Sequence, residues 1–358
     1  MDEDAAAAVA GRVLHAVLGT VDLLSIFVGD RLGWYRSLAA EGPATAGQLA
    51  ARTATHPRYA REWLEQQAVT GLLVVHRDGP ADERVFAVPA ATAEVLTDEH
   101  SLNYLAPFAH LFGATGPALP RLLDAYRTGG GVSWDALGDD AREAQADGNR
   151  PWYEHRLADA LAGVPALDTL LRAPGARILD IGCGAGWSAI ALARAYPDAR
   201  VHGVDIDAPS VRMAVRNAAA AGVAARSEFT VADAAQLPES GFDIAFAFEC
   251  VHDMPRPIEV LAAVRRALRP GAPLVVMDEA VAAEFAPGGD ELERLMYGFS
   301  LFVCLPDGMS SPPSAATGTV MREPILREYA RAAGFTAVRV LPIEGFGFWR
   351  FYRLDRGR

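Results

Sequence analysis

The chain has 358 residues, of which 51% are hydrophobic and 22% charged, and its formal net charge is -12. This length favours two modest domains, and this hydrophobic content excludes an intrinsically disordered chain. The acidic balance argues against nucleic acid as a partner, because phosphate backbones attract basic surfaces.

The first 33 residues are predicted to form one amphipathic helix. They open on acidic residues, whereas a signal peptide opens on basic ones. Arg12, His15 and Asp22 interrupt the apolar run, so we expect it to fall short of the roughly 20 apolar residues that span a bilayer. Three cysteines without C-x-x-C spacing indicate neither a disulfide framework nor a zinc site. We expect a cytoplasmic protein that contacts no membrane and holds no metal.

Residues 30–95 are predicted to form a winged helix. Thr45 is a plausible N-cap of a short helix, and a tight turn then leads into a helix with Tyr59, Trp63 and Ala68 on one face. Two strands, GLLVV and RVFAV, follow on either side of a polar turn. We therefore assign residues 1–96 to an N-terminal all-α and winged-helix domain. Residues 97–165, helices with Gly and Pro breaks, are assigned to a helical linker or lid.

From residue 176 onward, apolar strands alternate with amphipathic helices. The strands are ARILDI, ARVHGVDI, SEFTVAD, FDIAFAFE and APLVVMDE, with FTAVRVLPI and GFWRFYRL closing the chain. Such alternation indicates βαβ units in an α/β fold, a doubly wound, mostly parallel sheet of seven strands. This domain spans residues 166–358, and a helix-prone insertion occupies residues 283–320.

The segment ILDIGCGAG follows the first of these strands and opens a helix, which is the context of a nucleotide-binding loop. Its glycines let a ligand approach the backbone, and Asp205 ends the next strand, where a carboxylate can accept from ribose hydroxyls. Asp233 stands at the end of the third strand. The G-x-G-x-G spacing differs from the G-x-G-x-x-G of dinucleotide folds, although a dinucleotide site and a purely structural loop remain alternatives.

With these features in order, residues 176–280 resemble a class I S-adenosylmethionine-dependent methyltransferase. The resemblance implies a Rossmann-like methyltransferase fold, with S-adenosylmethionine as the cofactor and S-adenosylhomocysteine as its product. It implies contacts that run from the methionine portion through the ribose to the adenine, made by Asp180, Gly182, Gly184, Asp205, Ile206, Asp233 and Ala234. In this scheme Asp205 binds the ribose and Asp233 the adenine amino group, whereas Asp207 is better explained as a helix N-cap.

The loop after the fourth strand reads FECVHDMPRP, and ligands of open parallel sheets bind at the carboxyl ends of the strands. Its His252-Asp253 pair resembles the H-D pair of plant-type and bacterial small-molecule O-methyltransferases, in which the histidine is the general base. The tryptophan that usually follows that pair is Met254 here. The alternative is that His252 only hydrogen-bonds the loop or caps the next helix. Glu249 is expected to hold the cofactor's ammonium or to shape the strand end.

Two further segments supply candidate pocket residues. Tyr153 begins a helix just before the core and could face the cofactor's cation, since aromatic faces attract cations; packing is the alternative. In the insertion, Met296, Phe299 and Cys304 are candidate substrate-pocket residues, with a core-facing stripe as the alternative. An apolar roof would imply an apolar, aromatic acceptor.

We therefore predict methyl transfer to a hydroxyl of an apolar small molecule of secondary-metabolite type, by a homodimer that associates through the N-terminal domain. That domain resembles the dimerisation part of such enzymes. The alternatives are an N- or C-methyltransferase that relies on positioning alone, and a winged-helix transcriptional regulator that senses S-adenosylmethionine. Residues 1–100 carry 8 arginines against 14 acids, whereas a DNA reader needs a basic face.

Overall fold

The computed structural model describes residues 3–357, which form two compact units. One unit runs to Ala114 and includes Glu143–Gly148, and the other comprises Thr115–Arg142 together with the chain from Asn149 onward.

The first unit is helical and carries a two-stranded antiparallel wing. Its helices are α1 (Glu3–Arg31), α2 (Trp34–Glu41), α3 (Ala46–Thr53), α4 (Pro57–Thr70), α5 (Ala90–Thr97) and α6 (Ala106–Thr115), and its strands are β1 (Val74–Arg77) and β2 (Val85–Ala87). Thr45 caps α3 as predicted: its hydroxyl accepts from the Gln48 backbone N–H, and the side-chain amide oxygen Oε1 of Gln48 accepts from the Thr45 N–H. The predicted winged helix is therefore confirmed.

The predicted buried face of α4 is wrong by one position. Tyr59 is 74% exposed, whereas Ala60, Trp63 and Leu64 are buried. Because successive residues of a helix are about 100° apart, a face that contains Trp63 equally admits the residue three or four positions before it. The packing of this unit's core selected Ala60, which belongs with Trp63 and Leu64 to one buried hydrophobic cluster.

Helix α1 is one continuous helix of 29 residues. Its C-terminal half packs on α4, where the Trp63 indole N–H donates to the Ser25 carbonyl at 2.9 Å. The apolar residues of its N-terminal half are exposed, Val13 at 59% among them. Contrary to the expectation from its charged residues, α1 is long and apolar enough to cross a membrane by length and composition.

The second unit is built on a seven-stranded sheet of order β5-β4-β3-β6-β7-β9-β8, in which β9 runs antiparallel to both of its neighbours. Its strands are β3 (Arg177–Ile181), β4 (Arg200–Asp205), β5 (Ser227–Val231), β6 (Ile244–Phe248), β7 (Pro273–Glu279), β8 (Ala337–Val340) and β9 (Trp349–Asp355). The predicted doubly wound, mostly parallel sheet is confirmed.

Helices cover both faces of this sheet. They are α7 (Leu119–Thr128), α8 (Trp134–Trp152, whose residues 143–148 belong to the first unit), α9 (Ala158–Ala162), α10 (Pro165–Leu171), α11 (Trp187–Ala195), α12 (Ala208–Ala220), α13 (Pro257–Ala267), α14 (Glu291–Phe299), α15 (Leu305–Met309) and α16 (Glu323–Ala332). Neighbouring residues of a central strand enter opposite cores: Ile178 packs with one hydrophobic cluster and Leu179 with the other. The central strands are therefore continuous apolar runs, and polar groups gather where β3, β4, β6 and β7 end.

Candidate active site

The glycine loop between β3 and α11 has a backbone that only glycine adopts easily. Gly182, Gly184 and Gly186 all have positive φ, at 63°, 49° and 81°. A Cβ on Gly182 would lie 2.7 Å from the Cβ of Cys250, whereas a Cβ on Gly184 would meet no atom within 4 Å. Gly184 therefore leaves open space at the tips of the strands.

Asp180, at the end of β3, is fully buried. One carboxylate oxygen accepts from the Ser188 hydroxyl at 2.6 Å, and the other has no hydrogen-bond partner among residues 3–357. Burial raises the pKa of Asp180 to about 7, against the opposing effect of the Ser188 hydrogen bond. A buried acid with a spare oxygen favours a cationic or hydrogen-donating ligand.

Asp205 and Asp233 lie on the same edge of the sheet. The Asp205 carboxylate accepts from the N–H groups of Gly184 and Asp207, both at 2.8 Å, which leaves further lone pairs on each oxygen. The neighbouring Ile206 is 75% exposed. Asp233 caps a short 3₁₀ helix that begins at Ala234, and its second oxygen pairs with Arg256 at 3.1 Å. Asp207 caps α12 as predicted, accepting from the Ser210 N–H at 3.0 Å.

His252 lies on a short helical turn after β6 and is buried among carboxylates. Its Nδ1 is 2.9 Å from Asp278 and 3.2 Å from Glu279, and its Nε2 is 3.3 Å from Asp253. Burial alone would lower the pKa of His252, but the charges of Asp253, Glu279 and Asp278 outweigh it and raise that pKa well above its ordinary value. The contacts at Nδ1 therefore fix the orientation of the imidazole, and the surrounding carboxylates favour its protonated form.

Tyr153 and Glu249 come from different parts of the chain: Tyr153 follows α8, and Glu249 follows β6. Glu249 follows β6 with φ at 53°, a region that non-glycine residues rarely occupy, and it accepts a hydrogen bond from Asn149. Tyr153 is buried against the Phe248 ring at 5.5 Å. Burial raises the pKa of Tyr153 well above its ordinary value, with the charges of Glu249 and Asp180 acting in the same direction. Strain at Glu249 is what functional strand ends commonly show.

The three candidate pocket residues of the insertion have different surroundings. Met296 is fully buried and Phe299 nearly so. The Cys304 thiol lies within 4.8 Å of the reactive atoms of His252 and Asp253, and burial raises its pKa. Of the three, Cys304 is the one that the structure brings beside His252.

Sequence reasoning missed Asp278, Glu279 and Asn149. The first two end the strand VVMDE, and acids at the carboxyl end of a parallel strand are a signal that could have been used. Asn149 lies inside a helix and carries no local signal of its role.

These residues fit S-adenosylmethionine. The buried spare oxygen of Asp180 suits a positive charge, the lone pairs of Asp205 suit ribose hydroxyls, and the exposed Ile206 offers an apolar face for a purine. The open space at Gly184 admits a ligand against the backbone.

Comparison with known proteins agrees with this geometry. Residues 178–271 match a family model described as a methyltransferase domain, and residues 20–98 match one described as an Rv2258c-like winged HTH domain. The chain is 42% identical over 125 residues to a 27-O-demethylrifamycin SV methyltransferase of Amycolatopsis mediterranei (strain S699). That match covers 34% of this chain and 44% of the relative, so the chain spans less than half of that relative's length.

Two solved structures resemble the whole chain in fold. The mitomycin 7-O-methyltransferase MmcR superposes with a TM-score of 0.74 at 23% identity, over 99% of this chain and 100% of its own. Human N-acetylserotonin methyltransferase, solved in complex with S-adenosylmethionine, has a TM-score of 0.73 at 18% identity, with 98% of each chain covered. The chain therefore combines a class I S-adenosylmethionine-dependent methyltransferase domain with an Rv2258c-like winged-helix domain.

Proposed function

We propose that this protein methylates a hydroxyl of a small molecule of the secondary-metabolite type, with His252 as the general base. The observation that carries the proposal is the buried imidazole of His252, held at Nδ1 by Asp278 at 2.9 Å. The names of two similar proteins, 27-O-demethylrifamycin SV methyltransferase and mitomycin 7-O-methyltransferase, both place the methyl group on oxygen.

The glycine loop and the strand ends would hold the cofactor. S-adenosylmethionine, when bound, supplies a methyl group on a sulfonium, with the thioether sulfur as the leaving group for an aligned nucleophile. Asp180, Gly182 and Gly184 would line its methionine portion, with Glu249 and Tyr153 close by. The ribose would meet Asp205, and the adenine would meet Ile206, Asp233 and Ala234. Most of the rate would then come from alignment and exclusion of water.

His252 would accept the acceptor's proton at Nε2. Asp278 and Glu279 both face Nδ1, so they favour the tautomer that carries its proton there. The raised pKa of His252 narrows the gap to a phenol, whose pKa is about 10. The same shift keeps the imidazole protonated to higher pH, so turnover should rise as the medium becomes more alkaline.

The insertion would shape the acceptor pocket. Cys304 borders His252, and Met296 and Phe299 provide apolar packing on the same segment. An apolar, aromatic acceptor suits these surroundings.

Replacement of His252 by alanine and by glutamine tests the base. We expect both variants to lose about 10²-fold or more in kcat with phenolic acceptors while still binding S-adenosylhomocysteine. Amine acceptors assayed alongside separate the alternatives, because an amine deprotonated in solution needs no base. Unchanged kcat with a phenol would contradict the role of His252 and leave methyl transfer by positioning alone.

The winged helix would serve association between protein chains. The two arginines of α4 are paired with acids: Arg58 with Glu62, and Arg61 with Asp82 at 3.3 Å. With an acid beside each arginine, this helix presents no basic face of the kind that a DNA-reading helix needs. A gel shift with genomic fragments at low salt would reveal DNA binding and favour the regulator instead.

The exposed apolar face of α1 would bury itself against a second copy of the chain. Val13, Leu14, Val17 and Leu18 are each more than half exposed, and monomers rarely leave such a row uncovered. Light scattering should give the mass of a dimer, and Leu14→Asp combined with Leu18→Asp should give a monomer. Flotation with lipid vesicles by the wild type, without a dimer, would show that this face binds a membrane instead.

A further inference from the structure

The second unit contains an arginine that is buried between acids on the ribose side of the glycine loop. The side chain of Arg142 is only 4% exposed. Its Nε and one terminal nitrogen donate to the two oxygens of Asp207, at 2.8 and 3.1 Å. This is the two-pronged arginine–carboxylate geometry, which fixes orientation as well as charge.

The other two partners of Arg142 contribute less. Asp135 and Asp139 accept from the terminal nitrogens at 2.6 and 3.1 Å, but their side chains are 82% and 85% exposed. Exposed pairs are weak because water screens them. The contact with Asp207, which is 14% exposed, is therefore the one that matters.

Asp207 connects Arg142 to Asp205, the carboxylate that is expected to bind the ribose. Its backbone N–H donates to Asp205 at 2.8 Å, and the other Asp205 oxygen accepts from Gly184. Although burial alone would raise the pKa of Asp207, the hydrogen bonds from Arg142 and Ser210 hold it below its ordinary value. Asp207 therefore stays ionised, and Arg142 has a permanent anchor.

The chain segment that carries Arg142 also hydrogen-bonds to the insertion, which is expected to line the acceptor pocket. The Trp134 N–H donates to the Asp307 carboxylate at 2.7 Å, and the Val132 N–H donates to the Pro306 carbonyl at 2.9 Å. Residues 132–142, which we name the strap, thus connect the insertion to the end of β4. Between its two ties the strap bends at Gly138, where φ is 80°.

We propose that Arg142 is a positioning residue for the cofactor, which holds the Asp205–Asp207 turn in its ribose-binding conformation and fastens the strap beside it. The inference rests on the proposed function, since it assigns the ribose to Asp205. Arg142 itself touches no reacting atom. Its effect should fall on cofactor affinity and leave the chemical step intact.

Calorimetry with S-adenosylhomocysteine tests the inference on the full chain. Arg142→Lys keeps the charge but loses the planar fork, and we expect it to weaken binding about 10-fold or more; misplacement of a binding group by about 1 Å has effects of that size or larger. Arg127→Lys is the matched control, because Arg127 pairs with Asp124 on the surface, and it should bind like the wild type. Asp207→Asn should weaken binding, and its combination with Arg142→Lys should add little, since both act through one contact.

Steady-state kinetics separate positioning from loss of structure. In Arg142→Lys the KM for S-adenosylmethionine should rise while kcat at saturation and the KM for the acceptor stay near wild type. Wild-type affinity in a folded Arg142→Lys protein would overturn the inference, as would equal losses in every parameter with a lowered melting temperature. Failure of the wild type to bind S-adenosylhomocysteine would overturn the proposed function, and the inference with it.

Discussion

Binding of the cofactor should release a proton from Asp180. The carboxyl is fully buried, and its pKa is about 7 against an ordinary 3.8. The difference of about 3 units corresponds to roughly 4 kcal/mol in favour of the protonated form. Because the pKa of Asp180 is raised in the folded state, the folded protein binds this proton more tightly than the unfolded chain does. The contribution of the bound proton to the free energy of unfolding is fully present below pH 3.8 and is lost as the pH rises through about 7.

A ligand cation beside Asp180 reverses that preference, since an adjacent positive charge favours the carboxylate. The methionine portion of S-adenosylhomocysteine, which Asp180 would line beside Glu249, carries a charged amino group. Its binding should therefore release close to one proton from Asp180 well below pH 7, about half a proton near pH 7 and little well above it. The apparent affinity should fall toward about tenfold per pH unit below pH 6.

Calorimetry in buffers of different ionisation enthalpy measures this proton count directly. Asp180→Asn supplies the control, because an amide cannot titrate but can still accept from Ser188. The difference between wild type and variant isolates Asp180 from other acids that titrate nearby. A proton count that is independent of pH, or equal in the two proteins, would refute the assignment of the cofactor's charge to Asp180.

Two further substitutions test the packing of α1 and the charges around the base. Gly29→Ala would place a Cβ 2.2 Å from the Trp63 ring, whereas a Cβ at Gly19 would meet nothing within 4 Å. Thermal unfolding should show that Gly29→Ala lowers the free energy of unfolding by about 1–3 kcal/mol and that Gly19→Ala raises it by up to about 1 kcal/mol. Equal effects of the two substitutions would contradict the packing described. Asp253→Asn removes a charge that raises the pKa of His252, so the alkaline rise of kcat/KM should move to lower pH; an unmoved profile would mean that another group governs it.

The sheet and the cofactor loop were predictable because their signals are local. Apolar runs alternating with amphipathic helices predicted all seven strands. The glycines predicted to let a ligand approach the backbone do lie in the turn between β3 and α11, where the structure shows that all three have positive φ. Thr45 and Asp207 cap the helices they precede, since a cap depends on residues three positions away. The buried face of α4 was harder to predict. Tyr59 and Ala60 lie four and three residues before Trp63 on the same helix, and only the packing of the unit's core decides which of them is buried.

The sequence by itself determined the fold class, the helix caps and the loop on which a nucleotide-like ligand can rest. Only the tertiary structure decided the surroundings of His252 and Arg142. Asp278 is 26 residues from His252, and Asp207 is 65 residues from Arg142. Such pairs meet because β6 and β7 are neighbours and because Arg142, at the end of the strap, lies against Asp207 just after β4. Strand order and chain crossings are set by the packing of the whole domain, so no local pattern reports which distant charges they bring together.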